Sequence, residues 1–185
     1  MLGVDPGLTR CGIAVVDGPP GRPVAVATRI VRTPRALPLE CRLVALSDEV
    51  IETLRLHSPN VVACERVLFS ANVRTAMGVG QAAGVVLLAA GRAGLPVASY
   101  SPNEVKRVIA GHGGADKGAV ARMVAAQLGL RAVPNSPDIA DALAVALCHL
   151  TRARLAGLVR RSEGVPSEPG GAAGPGGRAG QGERP

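Results

Sequence analysis

Two short apolar runs, each closed by a carboxylate, constrain this chain most: Met1-Leu2-Gly3-Val4-Asp5 and Val61-Val62-Ala63-Cys64-Glu65. Both are too short for a helix, and they are apolar at consecutive rather than alternate residues. Strands of that kind belong at the centre of a sheet covered on both faces. A carboxylate set against such sequence costs stability unless it is paired, neutralised or bound to a cation. Two more acids share the problem. Asp138 and Asp141 lie in the apolar stretch Asp138-Ile139-Ala140-Asp141-Ala142-Leu143-Ala144-Val145-Ala146-Leu147.

The pattern around these runs predicts an α/β fold, with a mixed sheet flanked by helices. Residues 1 to 5 read as a strand, Gly7-Leu8 as a tight turn and Cys11 to Asp17 as a second strand. Asp17-Gly18-Pro19-Pro20-Gly21 is a turn, and Val24 to Val31 a third strand that completes an antiparallel meander. Leu39, Leu43, Leu46, Val50, Ile51 and Leu54 recur at helical spacing up to His57, and Pro59 ends the pattern. A central strand follows at Val61 to Cys64. Next come a helix from about Val73 to Ala93, a strand at Pro96 to Tyr100, and helices at Asn103 to Ala110 and Lys117 to Leu128. A last helix starts at Ser136-Pro137, with Ser as N-cap and Pro at the first helical position, and runs to about Ala156. Helices alternate with the later strands, which makes that half of the sheet parallel. Three glycines, Gly78, Gly80 and Gly84, fall inside the Ala-rich helix after Glu65. Glycine there costs about 1 kcal/mol against Ala, so another backbone is expected close by, and spacing alone favours this chain's own sheet over a homodimer seam.

From about Gly164 onward the sequence is nearly all Gly, Pro, Ala, Ser, Glu and Arg, which predicts one folded domain over 1–160 and a disordered tail over 161–185. Lys and Arg outnumber Asp and Glu by 21 to 14, and leaving out the tail from Arg160 still leaves 17 against 11. The positive excess therefore belongs to the folded part, as suits a protein that handles a polyanion. Cys11, Cys41, Cys64 and Cys148 are widely spaced, three of them in apolar runs and none in a Cys-x-x-Cys pair. That spacing argues against zinc and disulfides and for the reduced, buried thiols of a cytoplasmic protein. The apolar stretch 82–90 is too short to span a bilayer.

Asp5 and Glu65 each end an apolar strand at the edge where α/β sheets gather functional groups. Asp138 and Asp141, three residues apart, share one face of a helix near its N-terminus. Taken alone, that pair reads as charge complementing the helix dipole. With all four in one pocket the carboxylates would repel strongly unless divalent cations neutralised them, and an oxygen-only set suits Mg²⁺ or Mn²⁺. Carboxylates holding two hard cations are a phosphoryl-transfer device. His57, His112 and His149 lack ligand spacing, and no Ser-His or Cys-His pair competes. Gly3-x-Asp5-x-Gly7 is not a dinucleotide fingerprint, though it resembles the first phosphate loop of actin-like ATPases.

Six ordered blocks resemble the RuvC family of Holliday junction resolvases: Leu2 to Gly12, Glu65-Arg66-Val67, Asn72-Val73-Arg74-Thr75, Gly80 to Val85, Pro102 to Lys106 and Asp138 to Ala144. The likeness runs from residue 2 to about 150. It implies a ribonuclease H-like fold, a homodimer, and Mg²⁺-dependent paired nicking of opposed strands at a four-way DNA junction, with two ions per site and Mn²⁺ able to substitute. By position, Asp5, Glu65, Asp138 and Asp141 would be the catalytic metal ligands. Lys106 and Lys117 fall where the family carries basic residues facing DNA; Arg107 and Arg74 join them on charge and neighbourhood. Where the family often has a bulky aromatic three residues after the strand-end Glu, this chain has Leu68, with Phe69 one step later, so either could wedge bases apart or both could pack at a dimer edge. The opening is shorter than the family's usual one, which leaves the first strand open to truncation. The family also implies a link to the RuvA-RuvB branch-migration motor. Competing readings are a YqgF-like relative of the same fold, an actin-like ATP-binding protein, which would need a second domain, and a DNA-binding module without activity.

Overall fold

The computed structural model describes residues 1–19, 21–66 and 73–162, without the side chains of Arg74 and of 159–162. Five strands and five helices follow one another: β1 (Leu2–Asp5), β2 (Arg10–Asp17), β3 (Val24–Arg32), α1 (Leu39–His57), β4 (Val62–Glu65), α2 (Val73–Arg92), β5 (Val97–Tyr100), α3 (Pro102–Ala110), α4 (Lys117–Gln127) and α5 (Pro137–Ser162). The sheet order is β3-β2-β1-β4-β5, antiparallel across β3-β2-β1 and parallel across β1-β4-β5. This is the ribonuclease H-like arrangement, and it puts the two wholly apolar strands side by side at the centre. Met1 continues the first strand: its carbonyl accepts from the Val16 N–H at 3.0 Å, and its side chain is buried.

Each face of the sheet carries its own core. On one side Val4, Ile13, Val15, Val62 and Cys64 pack with Leu46, Val50 and Leu54 of α1 and Ala82, Val86 and Ala90 of α2. On the other, α5 lies across the sheet under α3 and α4, and it is buried at every position from Ala142 to Cys148. A helix apolar all round is one covered all round. This is why its sequence shows so little periodicity.

Local chemistry sets the element ends. α1 stops at Ser58, which takes the left-handed conformation (φ 42°) ahead of Pro59. α3 opens on a reciprocal capping box: Ser101 Oγ accepts from the Glu104 N–H, and the Glu104 carboxylate accepts from the Ser101 N–H at 2.9 Å. Four outcomes differ from the sequence expectations. α5 runs to Ser162 rather than Ala156, so Arg161 and Ser162 belong to the helix, while 163–185 lie outside the described residues. Of the four thiols, Cys41 is exposed and the other three are buried. α3 begins one residue early, at Pro102, because Ser101 is its cap. In α2, Ala82, Val86, Ala89 and Ala90 pack into the chain's own core and a Cβ on Gly78 would lie 3.7 Å from that of Leu8, whereas one on Gly80, Gly84 or Gly91 would meet nothing within 4 Å among the described residues. The sheet therefore does not account for those three glycines.

Candidate active site at the ends of β1 and β4

Parallel pairing with Val4 opposite Cys64 makes β1 and β4 end together, so Asp5 and Glu65 emerge side by side. What brings Asp138 and Asp141 to them is the closeness of α5 to the sheet. A Cβ on Gly3 would lie 2.4 Å from the Ala142 carbonyl oxygen, and one on Gly12 only 2.0 Å from that of Asp138. These two strand glycines allow helix backbone to rest on sheet backbone where any side chain would hold it off. Gly12 is the residue opposite Asp5 in the ladder. The helix N-terminus thus lands beside the strand end.

The turn beneath Asp5 is fixed from below. A Cβ on Gly7 would fall 2.2 Å from the Arg10 carbonyl oxygen, so the β1–β2 turn closes only with glycine there. The buried Thr33 hydroxyl donates to the Leu8 carbonyl, and Arg42 of α1 donates to the hydroxyls of both Thr33 and Thr9 at 3.0 Å.

The acids lie close enough to act on one another's charge. Burial, followed by the charges of Asp141 and Asp138, pushes Asp5 up to about 6. Burial, then Asp5 and Asp141, pushes Glu65 up to about 7. The couplings order the group: Asp5 and Asp141 at its centre, Glu65 on the β4 side and Asp138 on the β2 side. Two cations already face it. Arg10 Nε donates to Asp138 Oδ2 at 2.9 Å, its Nη2 reaching the same oxygen, and the Ser136 hydroxyl donates to that oxygen at 3.1 Å. Lys117 Nζ donates to Asp141 Oδ2 at 3.0 Å, an interaction that holds the ammonium above its ordinary pKa. Lys106 on α3 lies near enough to Glu65 to oppose the rise of its pKa.

Among the described residues no three Asp, Glu, His or Cys side chains are gathered into a ready ligand set, since Asp138 and Asp141 are each turned to a basic partner. The donor chemistry nonetheless fits a hard divalent cation. All four groups are carboxylates, and two are destabilised as anions by burial and mutual repulsion, a penalty that positive charge between them removes. The buried thiols do not compete: Cys11 and Cys64 are pushed up to about 12 by burial. His149 is taken up by Tyr100, whose hydroxyl lies 2.8 Å from Nδ1, while His112 is exposed in the loop after α3. Arg107 is exposed on α3; Arg74 opens α2, and Leu68 and Phe69 lie outside the described residues. Sequence reasoning missed Arg10 and Ser136 as partners of Asp138. The signal that could have found them is the pair of strand glycines, Gly3 and Gly12, which was not read as a sign of another backbone close by.

The family model described as crossover junction endodeoxyribonuclease RuvC matches residues 1–149. The RuvC of Saccharopolyspora erythraea is 53% identical over 164 residues, covering 88% of this chain and 82% of that protein. The RuvC of Rhodococcus opacus is 52% identical over 169 residues, 91% of this chain and 89% of the relative. Among solved structures, Thermus thermophilus RuvC in complex with Holliday junction substrate aligns with a TM-score of 0.80 at 39% identity, over 84% of this chain and 94% of that one. The yeast mitochondrial Holliday junction resolvase, at 14% identity and a TM-score of 0.63 over 88% and 84% of the two chains, shares the fold.

Proposed function

The chain belongs to the RuvC family of crossover junction endodeoxyribonucleases, and from that membership we propose that Asp5, Glu65, Asp138 and Asp141 form its cutting centre on four-way DNA junctions. It is a nuclease that hydrolyses DNA phosphodiester bonds. The observation that supports the assignment is that β1 and β4 end together at Asp5 and Glu65 while α5 rests on Gly3 and Gly12 with Asp138 and Asp141 in its first turns. The donor set suits two Mg²⁺ ions, with Mn²⁺ as a substitute, which Asp5, Glu65, Asp138 and Asp141 would hold. When bound, the ions supply an activated water and stabilise the leaving oxygen in an in-line displacement.

The chain's own residues do the rest. Gly3 and Gly12 hold α5 so that Asp138 and Asp141 stay within reach of Asp5. Arg10 neutralises Asp138 and Lys117 neutralises Asp141, which eases the repulsion among the four anions before substrate arrives. Lys106, Arg107 and Lys117, on α3 and at the start of α4, offer positive charge beside Glu65 for the backbone of the bound strand, and Arg74 adds to it from the start of α2. With one Tyr and one Phe in the chain, base stacking is a small part of recognition, so phosphate contacts and junction shape dominate. Leu68 or Phe69 is the wedge at the crossover.

Paired nicking needs two such centres, and a homodimer supplies them. The support is the outer face of α2, where Val73, Met77, Leu87 and Leu88 are exposed apolar residues alternating with the unfilled positions Gly80 and Gly84. A second copy's α2 would cover this face. Coupling to a RuvA-RuvB motor and a cytoplasmic setting complete the reading; among the described residues no helix is long and apolar enough to cross a membrane. Incubating the purified protein with a synthetic four-way junction and with a matched linear duplex, in Mg²⁺ or EDTA, tests it. Symmetric, metal-dependent nicks confined to the junction are expected, and equal cutting of the duplex would refute junction selectivity.

A further inference from the structure

Beside Asp138, on the side away from Lys106 and Lys117, an open groove of about 810 Å³ runs between the edge strand β3 and the segment leading into α5. Arg10, Arg32, Asn135 and Ser136 line it, over an apolar floor that includes Ile139 and Leu143. Arg10 and Arg32 are directly opposed in the β2–β3 register. Like charges in that relation repel, and an antiparallel pair without another reason for them would not place them there. Arg10 finds Asp138, but Arg32 is exposed and has no acidic partner among the described residues. The groove therefore holds two guanidinium groups, one of them already paired with Asp138, and neutral polar groups from Asn135 and Ser136.

We propose that this groove binds the phosphodiester backbone of the cut strand on the β3 side of the carboxylates, with Arg32 gripping a phosphate and Arg10 assisting. The inference rests on the nuclease reading above and adds a contact surface to it, opposite the basic edge formed by α3 and α4. An Arg fork matches the two non-bridging phosphate oxygens, the Asn135 amide can donate to one of them as well, and the apolar floor suits a deoxyribose. Such contacts position a strand without reading bases. A phosphate between the two guanidinium groups also removes the repulsion between them.

The test is equilibrium binding of a labelled four-way junction by the full chain in EDTA, across a salt series, for wild type, Arg32→Gln, Arg32→Lys and the distant control Arg92→Gln. Arg32→Gln is expected to weaken binding by roughly 5- to 10-fold and to reduce the slope of log K against log salt by about 1, the loss of one phosphate contact. Arg32→Lys should keep the slope, and Arg92→Gln should match wild type. A scan of single neutral methylphosphonates along the cut strand should reveal one position near the cleavage site that weakens wild type but not Arg32→Gln. An unchanged slope in Arg32→Gln, or the absence of any such position, overturns the proposal. Parallel Mg²⁺-dependent nicking by wild type separates the two ideas: if wild type cuts the junction while Arg32→Gln binds like it, only the groove is wrong, and if wild type neither binds nor cuts, both fail.

Discussion

Asp5 is costly to keep as an anion, because it is buried and lies among charges of its own sign. Its neutral isostere gives two separable predictions. Asp5→Asn should lower junction cleavage by more than about 100-fold while leaving junction affinity within about threefold, since an amide fills a metal-ligand place poorly but keeps the shape. Single-turnover nicking beside a binding isotherm measures both, and cutting near the wild-type rate would remove Asp5 from the centre. The same change should stabilise the metal-free fold. A folded carboxyl raised to about 6 is protonated with no penalty below about pH 4, loses stability as pH climbs from there to about 6, and carries the full cost above that. In EDTA, Asp5→Asn should therefore unfold at higher denaturant than wild type at pH 8, by about 2 kcal/mol, with the gap closing at about pH 4. A gap independent of pH would mean that packing, not charge, is responsible. Of this site the sequence displayed the acids, since carboxylates in apolar runs are conspicuous in one dimension. It could not display Arg10 on Asp138, a contact across 128 positions.

Among the elements, α5 decides whether there is a site at all, and two strand glycines decide where α5 sits. Gly12→Ala would put a methyl 2.0 Å from the Asp138 carbonyl oxygen. Backbone cannot yield as a flexible side chain does, so the helix must lift, at a cost of about 2–3 kcal/mol. The expected outcome is a lower midpoint in urea together with loss of cleavage; Gly91→Ala, on a helix position with open space, should raise stability slightly. Full activity in Gly12→Ala would show that the close approach is dispensable. Most elements were legible from local chemistry: the apolar central strand, the Pro59 stop and the Pro137 start of α5, whereas the Ser101 cap of α3, whose capping box holds Glu104 down to about 2, was missed by one residue. The far end of α5 was set short, at Ala156 rather than Ser162, because the helix is buried on every side from Ala142 to Cys148 and shows little apolar period from which to extend it.

At the scale of the whole molecule, the proposed function calls for a basic surface around an acidic centre and for a second copy. Lys106→Ala and Lys117→Ala should each weaken junction binding and lower its salt dependence by about one unit of slope, read from isotherms between low and physiological salt. Lys117→Ala has an added consequence: Asp141 loses its partner, so Mg²⁺ should be needed at a different concentration for half-maximal cutting. Gly84→Glu, placing a charge on the open α2 face, should shift the protein from dimer to monomer in sedimentation and convert paired nicks to single ones. A dimer that survives it would move the seam elsewhere. The sequence by itself determined the class of fold, the polyanion partner and the chemistry, because strand burial, net charge and the identity of four acids are properties of residue types and their order. Tertiary structure decided which cations meet those acids, which α2 glycines are left uncovered, and that Arg10 and Arg32 face one another above a groove. Those facts depend on strand register and on how closely a helix approaches a sheet, and neither distance is written in the residues that it brings together.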